Sequence, residues 1–157
     1  MGVSGSGKSE VGRRVAEALG ASFIEGDDFH SPANVAKMAA GIPLDDDDRA
    51  AWLQRLRREI ALAREHGNSL VVSCSALKRR YRDLLREGDS MLRFAHLQGT
   101  PDVISKRLLA RTDHYMSPAL LDSQLQALEP LQPDEDGVTL DITSTPQQIA
   151  AAIIDAA

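Results

Sequence analysis

Short apolar runs alternate along this 157-residue chain with longer segments in which apolar residues recur at helical spacing. In segment 8–19, apolar residues from Val11 to Leu19 lie on one helical face, and Gly20 follows as a stop signal. Segment 70–74 is a continuous apolar run bounded by turn residues, which is typical of a strand buried on both faces. This alternation, without repeats or low-complexity segments, predicts an α/β fold with a mainly parallel sheet.

Capping and breaker residues position the remaining elements. Ser31-Pro32, Thr100-Pro101 and Thr145-Pro146 each combine a capping side chain with a proline in the first helical turn. The acidic run 45–48 marks the start of a long helix whose apolar stripe contains Trp52, which we expect in the core rather than stacked on a ligand. Further helices are predicted to open at Ser75-Ala76-Leu77 and to span 120–128, and further strands are predicted at 21–25, 91–97 and 138–142.

Two of these helices have basic residues. The helix opening at 75–77 has the set Lys78, Arg79, Arg80 and Arg82, part of which we expect to form a solvated face. The helix after Thr100 is expected to bury Leu109 and to present Arg107 and Arg111 four residues apart.

The segment Gly2-Val3-Ser4-Gly5-Ser6-Gly7-Lys8-Ser9 fits the phosphate-loop pattern. Its glycines let successive backbone N–H groups point at phosphate oxygens, and the following helix adds the positive end of its dipole. In that role Lys8 would reach the β- and γ-phosphates of ATP, and the Ser9 hydroxyl would bind Mg²⁺. A Gly/Ser linker is the alternative, but the amphipathic helix that follows directly favours nucleotide binding.

Parallel strands joined by right-handed crossovers place a ligand site outside the carboxyl ends of the strands. That rule predicts one rim containing residues 2–9, 27–30, 75–78 and the loop after Leu97.

Two acidic residues near this rim are candidates for distinct roles. Asp27 follows a strand and is our candidate for orienting the acceptor hydroxyl, with a turn or capping role as the alternative. The adjacent Asp28 would point in a different direction. Glu25 is a weaker candidate for the water shell of the metal, and the strand at 70–74 has no Asp at its end to share that role.

Arg107 and Arg111 precede an irregular polar segment, which is the arrangement of a lid at about 107–119. Closure of such a lid would exclude water and bring positive charge to the transferred phosphoryl group. Solvated surface arginines are the alternative.

Composition narrows the range of partners. The net charge of −5 argues against a general nucleic-acid binder, although a local cluster of cations can still bind an anionic substrate. Cys74 is the only cysteine, which excludes an intrachain disulfide and argues against a thiolate metal site. Neither a signal peptide nor a membrane span is recognisable, so we expect a cytoplasmic protein without a membrane partner.

Several blocks together resemble the gluconokinases of bacteria and eukaryotes. Besides the phosphate loop they are Gly26-Asp27-Asp28-Phe29-His30, Lys37-Met38, Gly41-Ile42-Pro43-Leu44 with Asp46, Asp48 and Arg49, Trp52-Leu53, Cys74-Ser75-Ala76-Leu77-Lys78, Tyr81-Arg82-Asp83-Leu84-Leu85-Arg86, Arg107, Arg111, His114-Tyr115-Met116, Ser123-Gln124 and Leu128-Glu129-Pro130. The resemblance covers essentially the whole chain, and the blocks within 26–53 and 74–78 are more specific than the phosphate loop.

The resemblance implies one kinase domain over 1–157, with a nucleoside-monophosphate-kinase-like fold and helices on both faces of the sheet. It implies phosphorylation of D-gluconate to 6-phospho-D-gluconate with ATP and Mg²⁺, in a homodimer. The catalytic residues that it implies are Lys8, Asp27 and Arg111. The nucleotide-binding residues are Gly2, Ser4, Gly5, Ser6, Gly7, Lys8, Ser9, Glu10 and Arg107, with Ser9 also at the metal. The gluconate-binding residues are Asp27, His30, Arg49, Ser75 and Lys78.

Three points stay open. Either Arg49 or Lys78 could bind the substrate carboxylate. A kinase for another small hydroxy acid, such as a shikimate-type enzyme, is an alternative because the same cradle serves many acceptors. A nucleotide-binding protein that lacks activity is a third hypothesis.

The chain departs from the resemblance at its start, where only Met1 precedes the phosphate loop. The family has a hydrophobic strand there, in the middle of the sheet. Removing roughly five buried residues, at about 25 cal/mol per Å², would cost more than a typical net stability of about 5–15 kcal/mol. We therefore expect the native chain to begin earlier, and the intact mass of the native protein tests this.

Overall fold

A computed structural model of the chain describes residues 1–111 and 117–157. In chain order its elements are α1 (Lys8–Leu19), β1 (Ser22–Glu25), α2 (Pro32–Ala39), α3 (Asp46–Glu65), β2 (Leu70–Ser73), α4 (Arg79–Arg86), β3 (Phe94–Gln98), α5 (Pro101–Leu109), α6 (Pro118–Ala127), β4 (Gly137–Asp141) and α7 (Pro146–Asp155). A short 3₁₀ turn, Gly26–Phe29, follows β1 directly. Within residues 1–111 and 117–157, no helix combines the length and the apolar character that crossing a bilayer requires.

The predicted caps fix where several helices begin. The side chains of Ser31, Thr100 and Thr145 each accept a hydrogen bond from a backbone N–H in the first turn of the helix, next to a proline. At the start of α3, Asp45 accepts from the N–H of Asp48 at 2.8 Å, and the Asp48 carboxylate accepts from the N–H of Asp45 at 3.1 Å. These bonds satisfy N–H groups that a helix cannot pair internally, so local sequence suffices to set the boundary.

The strands are parallel, as predicted, and form two pairs, β1 with β2 and β3 with β4. The start of the chain lies between the pairs. The Met1 amino group donates to the carbonyl of Ala95, the N–H of Leu97 donates to the carbonyl of Met1 at 2.9 Å, and the N–H of Gly2 donates to the carbonyl of Ser75 at 3.1 Å. These bonds fix the phosphate loop against the ends of β2 and β3.

A cavity of about 200 Å³ lies beside Met1, with both β2 and β3 among its mainly apolar lining. Leu70, Val71 and Val72 of β2 are therefore only half-buried. The prediction of a strand covered on both faces is confirmed in part at β2: Val71 packs against one apolar cluster and Leu70 and Val72 pack against another, while the cavity along the strand leaves these three residues partly exposed.

Two apolar clusters pack the helices against the strands. The first cluster draws on α1, α5, α6 and α7, and its buried members include Val11, Val15, Ile104, Leu121 and Ile149. The second draws on α3, α4 and β3, and its buried members include Trp52, Leu56, Ile60, Tyr81, Leu85 and Phe94. Trp52 is 2% exposed, which confirms its predicted place in the core.

Two local predictions were wrong. No helix opens at Ser75-Ala76-Leu77: α4 begins at Arg79, and Ala76 has a left-handed backbone with φ of 42°, which breaks a helix. Leu109 is 83% exposed instead of buried, because α5 ends at this residue and its buried face is formed one turn earlier, around Ile104.

Arg82 belongs to the basic set that was expected to be partly solvated, yet its side chain is 0% exposed. Its Nε and Nη2 atoms donate to the two carboxylate oxygens of Glu135 at 2.5 and 2.8 Å, and Glu135 is equally buried. Its Nη1 atom lies 3.1, 3.2 and 3.1 Å from the carbonyl oxygens of Ala76, Leu77 and Glu129. The guanidinium thus gives hydrogen-bond partners to the carbonyl groups of the non-helical segment before α4. It also holds the loop before β4 through its bonds to Glu129 and Glu135.

We predict that Arg82→Met lowers the free energy of unfolding by about 3–5 kcal/mol, because it leaves the Glu135 carboxylate buried without its partner. Urea denaturation measures this loss. Arg58→Met, at an exposed position of α3, is the control and should change stability by less than about 0.5 kcal/mol. The double variant Arg82→Met/Glu135→Leu should recover part of the loss; a double variant less stable than Arg82→Met would contradict this explanation.

Candidate active site

The phosphate loop curls at positions that only glycine occupies easily. Gly2 has φ of 143°, and a Cβ there would lie 2.8 Å from the carbonyl oxygen of Leu97. Gly5 has φ of 81°, and a Cβ there would lie 2.9 Å from the side chain of Leu108 on α5. The loop therefore packs tightly between β3 and α5, which explains the glycine spacing in the sequence.

Lys8 is the first residue of α1, and its side chain turns back over the loop. Its Nζ atom donates to the carbonyl oxygen of Val3 at 2.9 Å. Burial lowers the pKa of Lys8, the charges of Asp27 and Glu25 oppose that shift, and Arg111 adds to it. The Lys8 ammonium thus lies within electrostatic range of predicted site residues near the end of β1 and beyond α5.

Ser9 and Glu25 form a possible metal-binding pair. The Ser9 hydroxyl, in the first turn of α1, donates to the Glu25 carboxylate at the end of β1. Hydroxyl and carboxylate oxygens are ligands that Mg²⁺ accepts, and Mg²⁺ at kinase sites usually takes few protein ligands besides phosphate and water. The described residues contain no cluster of three or more His, Cys, Asp or Glu suited to a metal, which fits such a sparse site.

Gln124 on α6 contacts the loop directly, and sequence reasoning gave it no role beyond the family resemblance. Its Oε1 atom accepts a hydrogen bond from the N–H of Ser4 at 2.7 Å, across 120 positions of sequence. In the same loop, the Ser6 hydroxyl is buried without a hydrogen-bond partner among the described residues. No local sequence signal predicts a contact between helix α6 and this loop.

The two predicted lid arginines lie at the end of α5. Arg107 approaches the loop, since a Cβ on Gly7 would lie 3.7 Å from its Nη1 atom, and its Nη2 atom donates to the carbonyl of Ile142. Arg111 is exposed just beyond the helix. The predicted lid at 107–119 lies partly outside the described residues, and the resemblance block 114–116 lies wholly outside them.

Glu10, predicted among the nucleotide-binding residues, is exposed on α1. Its carboxylate pairs with Arg14 at 3.0 Å one turn further along the helix. Its side chain therefore lies along the helix surface.

His30 forms one wall of the acceptor side. Its ring stacks on Trp52, with centroids 4.3 Å apart and planes inclined by 15°, while the Trp52 Nε1 atom donates to the carbonyl of Gly26 at 2.7 Å. Burial lowers the pKa of His30, Asp27 opposes the shift and Arg49 adds to it. Asp27 and Arg49 thus each lie within electrostatic range of His30.

Three cationic side chains surround the ring of Tyr81. The distances to the ring centroid are 5.9 Å for Arg49, 5.8 Å for Lys78 and 5.6 Å for Arg80. We call Arg49, Lys78 and Arg80 the cation cluster. Arg49 belongs to this cluster and also lies near His30 on the acceptor wall. Ser75 completes the predicted acceptor set, and its carbonyl accepts from Gly2 of the phosphate loop.

The chain is similar to several known proteins. The family described as an AAA domain matches residues 1–131. The chain is 46% identical to the thermoresistant gluconokinase of Escherichia coli K12 over 157 residues, which cover 99% of this chain and 89% of that protein. The chain belongs to the gluconokinase family.

Solved structures agree with this assignment and confirm the predicted fold. A gluconokinase from Sinorhizobium meliloti 1021 superimposes with a TM-score of 0.91 at 44% identity, over 99% of this chain and 87% of that one. A sugar kinase from Janibacter sp. HTCC2649, crystallised without ligand, gives a TM-score of 0.94 at 46% identity, over 100% and 92% of the two chains. The predicted resemblance to gluconokinases is thereby confirmed.

We predict that Gln124→Ala raises the KM for ATP by about five- to tenfold, the factor expected from loss of one hydrogen bond that holds the loop. Steady-state kinetics with varied ATP measures the effect. Gln126→Ala, at an exposed position of the same helix, is the matched control and should leave the KM unchanged. Equal effects of the two substitutions would indicate a general loss of helix α6 instead.

Proposed function

We propose that this gluconokinase-family chain transfers the γ-phosphoryl group of ATP to the 6-hydroxyl of D-gluconate. The observation that supports this most directly is the phosphate loop, whose glycines at 2, 5 and 7 have positive φ and over which Lys8 turns back to donate to the carbonyl of Val3 at 2.9 Å. The negative charge of Asp27 opposes the lowering by burial of the pKa of both Lys8 and His30, which supports a place for this carboxylate between the loop and the acceptor side. The names of the Escherichia coli and Sinorhizobium meliloti relatives supply the acceptor.

In this proposal Asp27 accepts the proton of the 6-hydroxyl. The hydroxyl oxygen forms a bond to the γ-phosphorus, the bond between that phosphorus and the β,γ-bridging oxygen breaks, and ADP leaves with the electron pair. A positioned carboxylate also orients the attacking oxygen, which is the larger requirement in phosphoryl transfer.

Lys8 and the loop N–H groups would bind the phosphates. An ammonium has three donor hydrogens, so Lys8 can keep its bond to Val3 and still donate to two phosphate oxygens. Arg107, beside Gly7, and Arg111, which interacts with Lys8, would add guanidinium charge to the transferred group.

Ser9 and Glu25 would hold Mg²⁺, Ser9 as a direct ligand and Glu25 through the water shell. The metal, when bound, neutralises charge on the β- and γ-phosphates. Glu25 also orients the Ser9 hydroxyl before any metal arrives.

The acceptor wall fits a small hydroxy acid. The cation cluster and its neighbour His30 combine positive charge with hydrogen-bonding groups, which suits one carboxylate and several hydroxyls. We assign the substrate carboxylate to Lys78 with help from Arg49, and substrate hydroxyls to His30 and Ser75.

We further propose, from the family resemblance, that residues 1–157 form one kinase domain with a lid at about 107–119, that the protein is a homodimer, and that it acts in the cytoplasm. Neither nucleic acid nor membrane is a partner in this proposal. Sedimentation of the purified protein tests the dimer.

We predict that gluconate stimulates ADP release at least about tenfold more than shikimate, glucose or other sugars, because the sugars lack the carboxylate that the cation cluster would bind, and the rigid ring of shikimate cannot place its hydroxyls as the open chain of gluconate does. A coupled assay of ADP release with each acceptor measures this. Preference for shikimate would favour the alternative of a shikimate-type kinase. The absence of stimulation by any acceptor would favour a nucleotide-binding protein without activity.

Asp27→Asn is predicted to lower kcat by about 10²–10⁴, the usual contribution of a positioned acid–base group. Asp28→Asn is the matched control, because it removes the same charge from the adjacent exposed position, and its kcat should stay near that of the unchanged chain. A near-normal kcat for Asp27→Asn would remove this residue from the role.

A further inference from the structure

The first turns of α3 and α4 meet at one carboxylate. Asp46, the first residue of α3, accepts from the Lys78 Nζ atom with both oxygens, at 3.1 and 3.4 Å. The Tyr81 hydroxyl also donates to this carboxylate, and the Arg80 guanidinium forms an ion pair with it. Asp46 thus contacts Lys78 and Arg80 of the cation cluster and also the hydroxyl of Tyr81, whose ring the cluster surrounds.

The other members of the acidic run have different partners. Asp45 caps α3, and Asp48 closes the capping box and pairs with Lys37 at 2.7 Å. Asp47 is exposed and has no side-chain hydrogen bond among the described residues. Within the run 45–48, only Asp46 faces the acceptor wall.

The charge balance leaves this end of the pocket positive. Arg49, Lys78 and Arg80 contribute three positive charges around Tyr81, and Asp46 contributes one negative charge. These four side chains together have a net charge of +2, which favours an anionic ligand at the end of the pocket away from Asp27. Fixing the long Lys78 side chain in advance also removes the loss of rotamer freedom that a substrate would otherwise have to offset.

We propose that Asp46 is a positioning residue that holds the Lys78 ammonium and the Tyr81 hydroxyl at the carboxylate end of the gluconate site. This inference rests on the proposed function and deepens it. It assigns Lys78, held from α3, as the principal carboxylate-binding cation, and it makes Asp46 responsible for binding the acceptor rather than for the transfer step.

The test is steady-state kinetics of Asp46→Ala with gluconate and ATP varied in turn. The KM for gluconate should rise about tenfold or more, the factor that loss of a hydrogen bond to a charged group gives. The KM for ATP and kcat should stay within about twofold, because the loop and Asp27 are untouched. Merely structural damage would change all three parameters.

Asp47→Ala is the matched control, since it removes the same charge from the same helical turn. It should leave all three parameters unchanged. A double-mutant cycle with Lys78→Ala adds a second criterion: once Lys78 is absent, Asp46→Ala should raise the KM for gluconate by less than about threefold, because the two side chains act as one unit.

If Asp46→Ala does not fold, Asp46→Asn decides, because it keeps the size and one acceptor oxygen while losing the charge. Its KM for gluconate should rise in the same direction by a smaller factor.

A KM at or below that of the unchanged chain, an equal rise in Asp47→Ala, or full additivity with Lys78→Ala would overturn the inference. An unchanged chain without gluconate-dependent turnover would overturn the proposed function and this inference with it, whereas an active chain with an unaffected Asp46→Ala variant overturns the inference alone.

Discussion

The buried ion pair of Arg82 and Glu135 is the interaction on which the geometry of the site depends. The Arg82 guanidinium holds the carbonyls of Ala76 and Leu77, and so fixes the non-helical segment between β2 and α4. Ser75, just before Ala76, bonds to the phosphate loop, and Lys78, just after Leu77, bonds to Asp46. One buried charge therefore sets the spacing between the nucleotide side and the acceptor side.

Sequence predicted well the features that arise from neighbouring residues. The helix starts at Pro32, Asp46 and Pro146 follow from capping side chains within three residues, and the phosphate loop follows from its glycines. The parallel rule also predicted Asp27 and His30 on the same rim as Lys8, and the charge of Asp27 opposes the lowering by burial of the pKa of both Lys8 and His30. The family and the fold class were both recognisable at this level.

Contacts between distant residues could not be predicted. The segment 75–77 has good helix formers, yet Arg82 and Glu135, 53 positions apart, hold it in another conformation. The bond from Ser4 to Gln124 spans 120 positions and has no local signature. The exposure of Leu109 likewise depends on where α5 ends and not on the hydrophobicity of the residue.

The phosphate loop is attached to both helices that flank residues 112–116. Gly5 packs against Leu108 of α5, and Ser4 bonds to Gln124 of α6. The distance that the connection between these helices must bridge is therefore set by the loop. Any displacement of α5 or α6 is therefore coupled, through Leu108 and Gln124, to the backbone of the nucleotide cradle.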